Sequence, residues 1–472
     1  MKRPVFQTGT LMVLFIAFSL SLSAEIKLPS IFGDNMVLQQ QTNAAIWGNA
    51  TANATVSLRT SWNNKTVTTR ADREGRWKLK VPTPAAGGPY TITISDGKPV
   101  TLRNVLIGEV WVCSGQSNME MPMKGYRNQP ITGSNEYIAT STNNSIRLIT
   151  VPRATSLTTL DDFTGSWNSC EPANVAEFSA TAYFFGLMLN KALNVPVGLI
   201  CTSWGGTRIE PWISEDGFKN FEWVKLPDKS QKPDNLSPQT PTVLFNAMIN
   251  PVAGYGIRGA IWYQGESNRN EPVQYQKLMP GLADNWRSVW EIGVFPFYYV
   301  QIAPFDYGPT GLNSAYLREA QLKAVKDGTN LGMACIMDTG EKDNIHPADK
   351  KAAGDRLAYL ALAKTYEMQG FACEGPVLKE MTVEGSMVKL TFDNAPNGLT
   401  SFGKELSSFE VAGANKRFYP ATAFITYDGI TLFSPVVGEP VAVRYAFMDF
   451  VIGELFNTEG LPASSFRTDE WE

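Results

Sequence analysis

One histidine stands in this chain of 472 residues, His346, within Asp343-Asn344-Ile345-His346-Pro347. A single imidazole excludes metal centres built from several His ligands. Any acid–base chemistry run through an imidazole near neutral pH must use this residue. A carboxylate three residues earlier, Asp343, is placed to orient one ring nitrogen, leaving the other free to take a proton from a nucleophile. The plain alternative is a surface histidine in a loop beside a helix start.

Three other segments have the composition to complete such a site. Ser114-Gly115-Gln116-Ser117-Asn118-Met119 follows the apolar run Val110-Trp111-Val112-Cys113. A serine on a Gly-bearing turn between strand and helix can expose its hydroxyl at a sheet edge, with its amide aimed at developing negative charge. It can equally be a helix cap. Gly205-Gly206, within Thr202 to Trp212, allow close backbone approach to a ligand, or form a turn with no role. Gln264-Gly265-Glu266-Ser267-Asn268 adds polar side chains. A nucleophile, a glycine donor, an amide donor and an Asp/His pair are the parts an ester hydrolase needs.

These segments require a frame that brings them to one edge. Residues 25–105 carry short runs of β-formers at 56–58, 77–81 and 90–94, punctuated by Asn, Gly and Pro, which suggests a small sandwich. From 106 to 372 the pattern alternates. Strands are expected at 110–113, 197–201, 259–263, 297–301 and 332–337. Helices are expected at 180–193, 274–290, 315–326 and 348–366. That alternation is the mark of an α/β domain, a parallel sheet covered on both faces, in which ligands bind beyond the carboxyl ends of the strands. Every candidate segment follows one of those strands. After 373 a β-like pattern returns, with 388–392 and 441–445 as the clearest strands.

Composition sets the class. Hydrophobic content of 43% and charged content of 18% describe a globular protein, and 472 residues suggest more than one domain. A formal charge of −4 gives no basic footprint for nucleic acid. Lys2 and Arg3, then the apolar run 11–18 and small residues up to Ala24, have the layout of an export signal covering 1–24. Its removal strips two positive charges and takes the chain to −6. No other segment is apolar enough to insert in a membrane, so a periplasmic or extracellular location is expected. Cys113, Cys170, Cys201, Cys335 and Cys373 are far apart, odd in number and without a CxxC pair; Cys113, Cys201 and Cys335 lie in apolar runs and read as buried core residues, and the spacing does not argue for a disulfide.

Ser114 to Met119, Trp204 to Trp212, Trp262 to Asn268 and Asp343 to Pro347 together resemble the sialate O-acetylesterase family of SGNH hydrolases. Phe32 to Gln39 and Glu459 to Asp469 share the resemblance, so it runs in order through nearly the whole chain past the signal. The resemblance implies a three-layer α/β/α, flavodoxin-like SGNH catalytic domain flanked by β-sandwich-like regions, the last ending in a tail that returns to the catalytic domain. It implies Ser117 as nucleophile, with Asp343 and His346 completing the triad. It implies an oxyanion hole drawn from the amides of Ser117 and of Gly205 or Gly206, with Gln264 as third donor. The reaction it implies is acyl transfer through an acetyl-enzyme, requiring no metal and no organic cofactor.

The expected substrate is an O-acetylated sugar, sialic acid first and acetylated xylan as the alternative. Arg208 is a candidate for a sugar carboxylate, or else an ion-pair partner of Glu210. Trp204, Trp212 and Trp262 could stack on a sugar ring or pack in the core. Glu266 is open between contacting the sugar, holding its loop and hydrogen-bonding Gln264. Asp338 is the competing carboxylate. The rival readings are a carbohydrate-binding protein without activity, and a serine peptidase or lipase with the same triad logic.

Overall fold

The computed structural model describes residue 1 and residues 25–230, 236–308 and 311–471. The expected export signal, Met1 apart, lies outside the described residues.

The central sheet contains β7 (Pro99–Gly115), β8 (Asn143–Thr150), β9 (Asn168–Cys170), β10 (Val197–Ser203), β11 (Gly259–Tyr263), β12 (Phe297–Val300) and β13 (Leu331–Ala334), in the order β13-β12-β11-β7-β10-β8-β9. All its pairs are parallel except β8 with β9. Successive side chains of a strand point to opposite faces. Val110, Val112, Ala260, Trp262, Phe297 and Tyr299 enter one core. Their alternating neighbours Trp111, Cys113, Ile261, Tyr263, Tyr298 and Val300 enter another. Both faces are therefore buried, which makes the sheet the middle of three layers.

The helices Pro272–Trp290 and Asn313–Asp327 contribute to the first core, and Ala180–Leu193 and Lys350–Leu360 to the second. Pro272–Trp290 buries Tyr275, Leu278, Met279, Leu282 and Trp286, the spacing of one helix face. Lys350–Leu360 starts at Asp349, whose carboxylate caps the Ala352 N–H at 3.0 Å.

Register sets the site. Ser203 of β10 and Tyr263 of β11 both pair with Gly115 of β7, and Val300 and Ala334 continue that level across β12 and β13. The segments beginning at Gln116, Trp204, Gln264 and Cys335 therefore leave the sheet at one height, on its carboxyl edge.

The regions either side of this domain are β-structure. β1 (Val37–Gln39) pairs parallel with β7, and β6 (Gly87–Ser95) pairs antiparallel with it. The expected boundary at 105/106 thus falls inside β7, and Val56, Ile92 and Val110 share one core. The C-terminal strands have a core of their own that includes Cys335 and Met337. Their tail lies on the helix Asn313–Asp327, where Arg467 pairs with Glu319 at 3.1 Å and Arg318 donates to Ser465 at 3.1 Å. β8 and β9 have no counterpart in the sequence reading. Four of the cysteines are buried and none of the five is paired.

Candidate active site

β7 ends on Gly115 at φ 141, where a Cβ would fall 2.1 Å from the Tyr263 carbonyl oxygen. Only glycine lets β7 and β11 approach so closely while the chain turns out of the sheet. Gln116 then ties the turn across to the next strand end, its Oε1 accepting from the Gly265 and Ser267 amides at 3.3 and 3.4 Å. Ser117 opens the short helix Ser117–Glu120. Its N–H, in the first turn, has no intrahelical acceptor. Its Oγ lies 2.7 Å from Nε2 of His346, although 229 positions separate the two residues.

His346 is held in a tight turn. Asn344 Oδ1 accepts from the His346 N–H at 3.0 Å, and Asn344 Nδ2 donates to the His346 carbonyl at 2.8 Å. On the far side of the ring, Nδ1 lies 2.8 Å from Oε1 of Gln129. An amide oxygen can only accept, so Nδ1 carries the proton and the Nε2 lone pair faces the Ser117 hydroxyl. That is the tautomer a general base needs. Gln129 is placed by a turn in which it exchanges two backbone hydrogen bonds of 3.0 Å with Tyr126, while Asn128 takes φ 61. The Tyr126 ring meets the imidazole edge-on at 5.6 Å. Burial pulls the His346 pKa down to about 4, with the Lys350 charge as second cause, so the ring is neutral at neutral pH.

Asp343 is not at the ring. It is exposed, and among the described residues its carboxylate has no hydrogen-bond or ion-pair partner. The position expected for it at Nδ1 is taken by Gln129, and the Asn344 turn reverses the chain between Asp343 and His346. Asp338, the competing carboxylate, is clasped by Arg356 through contacts of 2.6 and 2.7 Å.

Two of the expected oxyanion donors are already engaged. The Gly205 N–H donates to Glu120 Oε2 at 2.8 Å, and Arg153 holds that carboxylate through Nε and Nη2 at 2.6 and 2.5 Å. A Cβ on Gly205 would fall 3.0 Å from the same oxygen and 3.2 Å from the Ser117 Cβ, so a side chain there would crowd Ser117. The Gln264 amide spends both its donors, on the Thr207 carbonyl at 3.1 Å and Asn268 Oδ1 at 2.8 Å. It is fully buried, with its own Oε1 unpartnered. The Ser117 and Gly206 amides remain, Gly206 being exposed at φ 76.

The expected sugar contacts divide. Arg208 is clamped by Glu210 at 2.7 Å and Glu271 at 3.2 Å, so the ion-pair reading holds for it. Trp204 is half-buried beneath the Arg153 guanidinium, 5.6 Å from the ring centroid. Trp212 and Trp262 are core residues packed edge to face at 5.9 Å. Glu266 is buried and accepts from Asn118 Nδ2 at 2.6 Å, so it holds the loop. Arg269, on the turn that follows, donates to the Glu266 carbonyl at 3.3 Å and lies 4.5 Å above the Tyr307 ring. Among the described residues no carboxylate pairs with it.

Sequence reasoning did not find Gln129, Glu120, Asn118 or Lys350. Gln129 sits in an irregular loop more than 200 positions from its partner and leaves no periodic trace. Asn118 and Glu120 lie within three positions of Ser117, but nothing in that spacing sets them apart from ordinary helix residues. A lysine opening a helix usually reads as a solvated charge, yet Lys350 is 1% exposed.

Residues 107–363 match the family described as carbohydrate esterase, sialic acid-specific acetylesterase. The chain is 30% identical to the sialate O-acetylesterase of Rattus norvegicus and 29% identical to that of Homo sapiens. The alignments cover 94% of this chain and 93% of the rat protein, and 95% and 92% for the human one. A crystal structure of a carbohydrate acetylesterase from Xanthomonas citri superposes with a TM-score of 0.86 at 34% identity, covering 94% of this chain and all of that one.

Proposed function

Because this chain belongs to the carbohydrate esterase family of sialic acid-specific acetylesterases, we propose that it removes O-acetyl groups from sialic acid, the 9-O ester first, through an acetyl-enzyme on Ser117. The contact that carries this reading is Ser117 Oγ to His346 Nε2 at 2.7 Å, with the tautomer fixed from the far side of the ring. Ser117 attacks the acetyl carbonyl as His346 takes its proton. The negative charge that develops on the carbonyl oxygen meets the Ser117 and Gly206 amides. The imidazolium then protonates the departing sugar alcohol, and water releases acetate by the same path in reverse roles. In this reading Gln129 does the orienting work that Asp343 does in the triad pattern.

Export is part of the proposal, supported by the basic, apolar and small-residue layout of the first 24 residues. Among the described residues, no helix is long and apolar enough to cross a membrane.

The acid group of a sialic acid needs a cation, and Arg208 is already neutralised by two carboxylates. Arg269 is the better partner. Arg269→Ala is expected to raise KM for 9-O-acetylated sialic acid about 10- to 100-fold, the range of a lost charge-assisted contact. KM for the uncharged p-nitrophenyl acetate should be unaffected. A selective rise in Arg208→Ala instead would move the carboxylate to Arg208.

Acetylated xylan is the second reading, because the engaged state of Arg208 removes the acid-binding group expected from the sequence. The deciding experiment is acetate release from 9-O-acetylated sialic acid and from acetylated xylan, side by side, with Ser117→Ala as control. Preference for the sialic acid is expected. Preference for xylan replaces the substrate and keeps the mechanism. No Ser117-dependent release from any acetyl ester refutes the catalytic reading.

A further inference from the structure

Ser117 and His346 come from opposite ends of the catalytic domain's sequence, and the hydrogen bond between them cannot alone hold two loops in register. Behind that bond lies a buried polar cluster that the acyl-transfer steps do not use. Lys350 Nζ donates to Asn118 Oδ1 at 2.8 Å and to the Pro347 carbonyl at 2.6 Å. Asn118 Nδ2 donates to Glu266 Oε1 at 2.6 Å and to the Ile345 carbonyl at 3.1 Å. Asn118 follows the nucleophile directly, while Ile345 and Pro347 flank the histidine on either side. Two of the four bonds thus end on the backbone of the His346 loop, and the other two end on the residue next to Ser117 or run from it to β11's loop. Lys350 and Asn118 are 1% exposed and Glu266 4%.

We propose that Lys350, Asn118 and Glu266 form a brace that sets the His346 loop against the Ser117 turn, with Lys350 and Asn118 as positioning residues for ester hydrolysis, an inference that rests on the catalytic reading above. A buried ammonium and carboxylate joined through an amide give little net stability, and apolar residues of the same volume would serve packing better. What the polar set supplies is direction: each donor fixes one carbonyl or amide at hydrogen-bond distance.

The single histidine makes the test direct, because a carbon-13 label on histidine reports His346 alone. The ring meets Ser117 from one turn and Gln129 and Tyr126 from a second, and feels the Lys350 charge from the following helix; Glu341 accepts from Asn344 and the Ala348 amide in the ring's own loop, and Glu266 lies beyond Asn118. Burial is the main influence on both members of the charged pair, drawing Lys350 down to about 7 and raising Glu266. At the acid pH where His346 titrates, Lys350 is therefore charged. In Lys350→Met the His346 midpoint is expected to rise by roughly one pH unit. In the same variant kcat for p-nitrophenyl acetate at neutral pH should fall at least about tenfold with KM nearly constant, the pattern of misplaced catalytic groups. Should Lys350→Met not fold, Asn118→Ser, which is too short to span Lys350, Glu266 and the Ile345 carbonyl, is measured instead and should show the same loss in kcat. A folded variant with wild-type kcat, or a Lys350→Met protein whose His346 midpoint does not move, overturns the proposal. If the wild-type protein shows no Ser117-dependent hydrolysis, the catalytic reading fails by itself, and the titration still reports whether Lys350 acts on the ring.

Discussion

Ser117→Ala is expected to lose a factor of roughly 10⁶ in kcat on acetyl esters, His346→Ala about as much, and the double variant no more than either alone. The argument is mechanical. The hydroxyl is a weak nucleophile until Nε2, 2.7 Å away, accepts its proton, and Nε2 has no use in the first step without that hydroxyl. The two act as one device, so the second removal takes away nothing that still works. The chain has no other histidine to substitute. Residual hydrolysis should come from the amides alone, which still bind the oxyanion. The measurement is kcat for the two single variants and the double, with acetate release as readout. Losses that multiply in the double variant would show that the two residues act in separate steps and would sink the acyl-enzyme mechanism. A mild loss in Ser117→Ala would remove the nucleophile assignment itself.

The layered fold was legible because burial on both sheet faces leaves near-continuous apolar runs, as in Val110 to Cys113 and Gly259 to Tyr263. β8 was not legible, since Asn143-Asn144-Ser145 opens it with polar residues and a buried Arg147 interrupts it. The site divides along the same line. The sequence could single out Ser117, Gly205, Gly206, Gln264 and His346 because their segments follow strand ends, a position the alternation of elements reveals. What each amide or carboxylate bonds to was not found. Gln264 and Gly205 have the right types at the right edge, but their donors are taken by Thr207, Asn268 and Glu120. Partner choice depends on loop geometry and on residues hundreds of positions apart, and local spacing carries no record of it. Asp343 is the clearest case. Three positions from His346 is near in sequence, yet the Asn344 turn leaves the carboxylate exposed.

That difference yields the second large effect. Gln129→Ala is expected to cost roughly 10²–10³ in kcat, and Asp343→Asn no more than about threefold. The first figure lies below the ~10⁴ that follows when a triad Asp becomes Asn, because alanine frees the tautomer whereas an amide donor reverses it. Gln129→Glu separates orientation from charge. Its carboxylate would stand at the 2.8 Å contact with Nδ1 and favour the imidazolium. The His346 pKa, held at about 4 by burial and by Lys350, should then rise by roughly 1–3 units. A protonated ring cannot accept the Ser117 proton, so activity is lost as pH falls through that pKa. The acid limb of kcat/KM, near pH 4 in the wild type, should therefore move up in Gln129→Glu. Activity at mildly acid pH should drop while activity above neutrality holds or grows, since the carboxylate also stabilises the imidazolium formed in the transition state. The profile of Asp343→Asn should overlay the wild type. A downward move of its acid limb, with a large loss in kcat, would mean that the Asp343 carboxylate reaches the ring during turnover and that the Gln129 contact gives way to it.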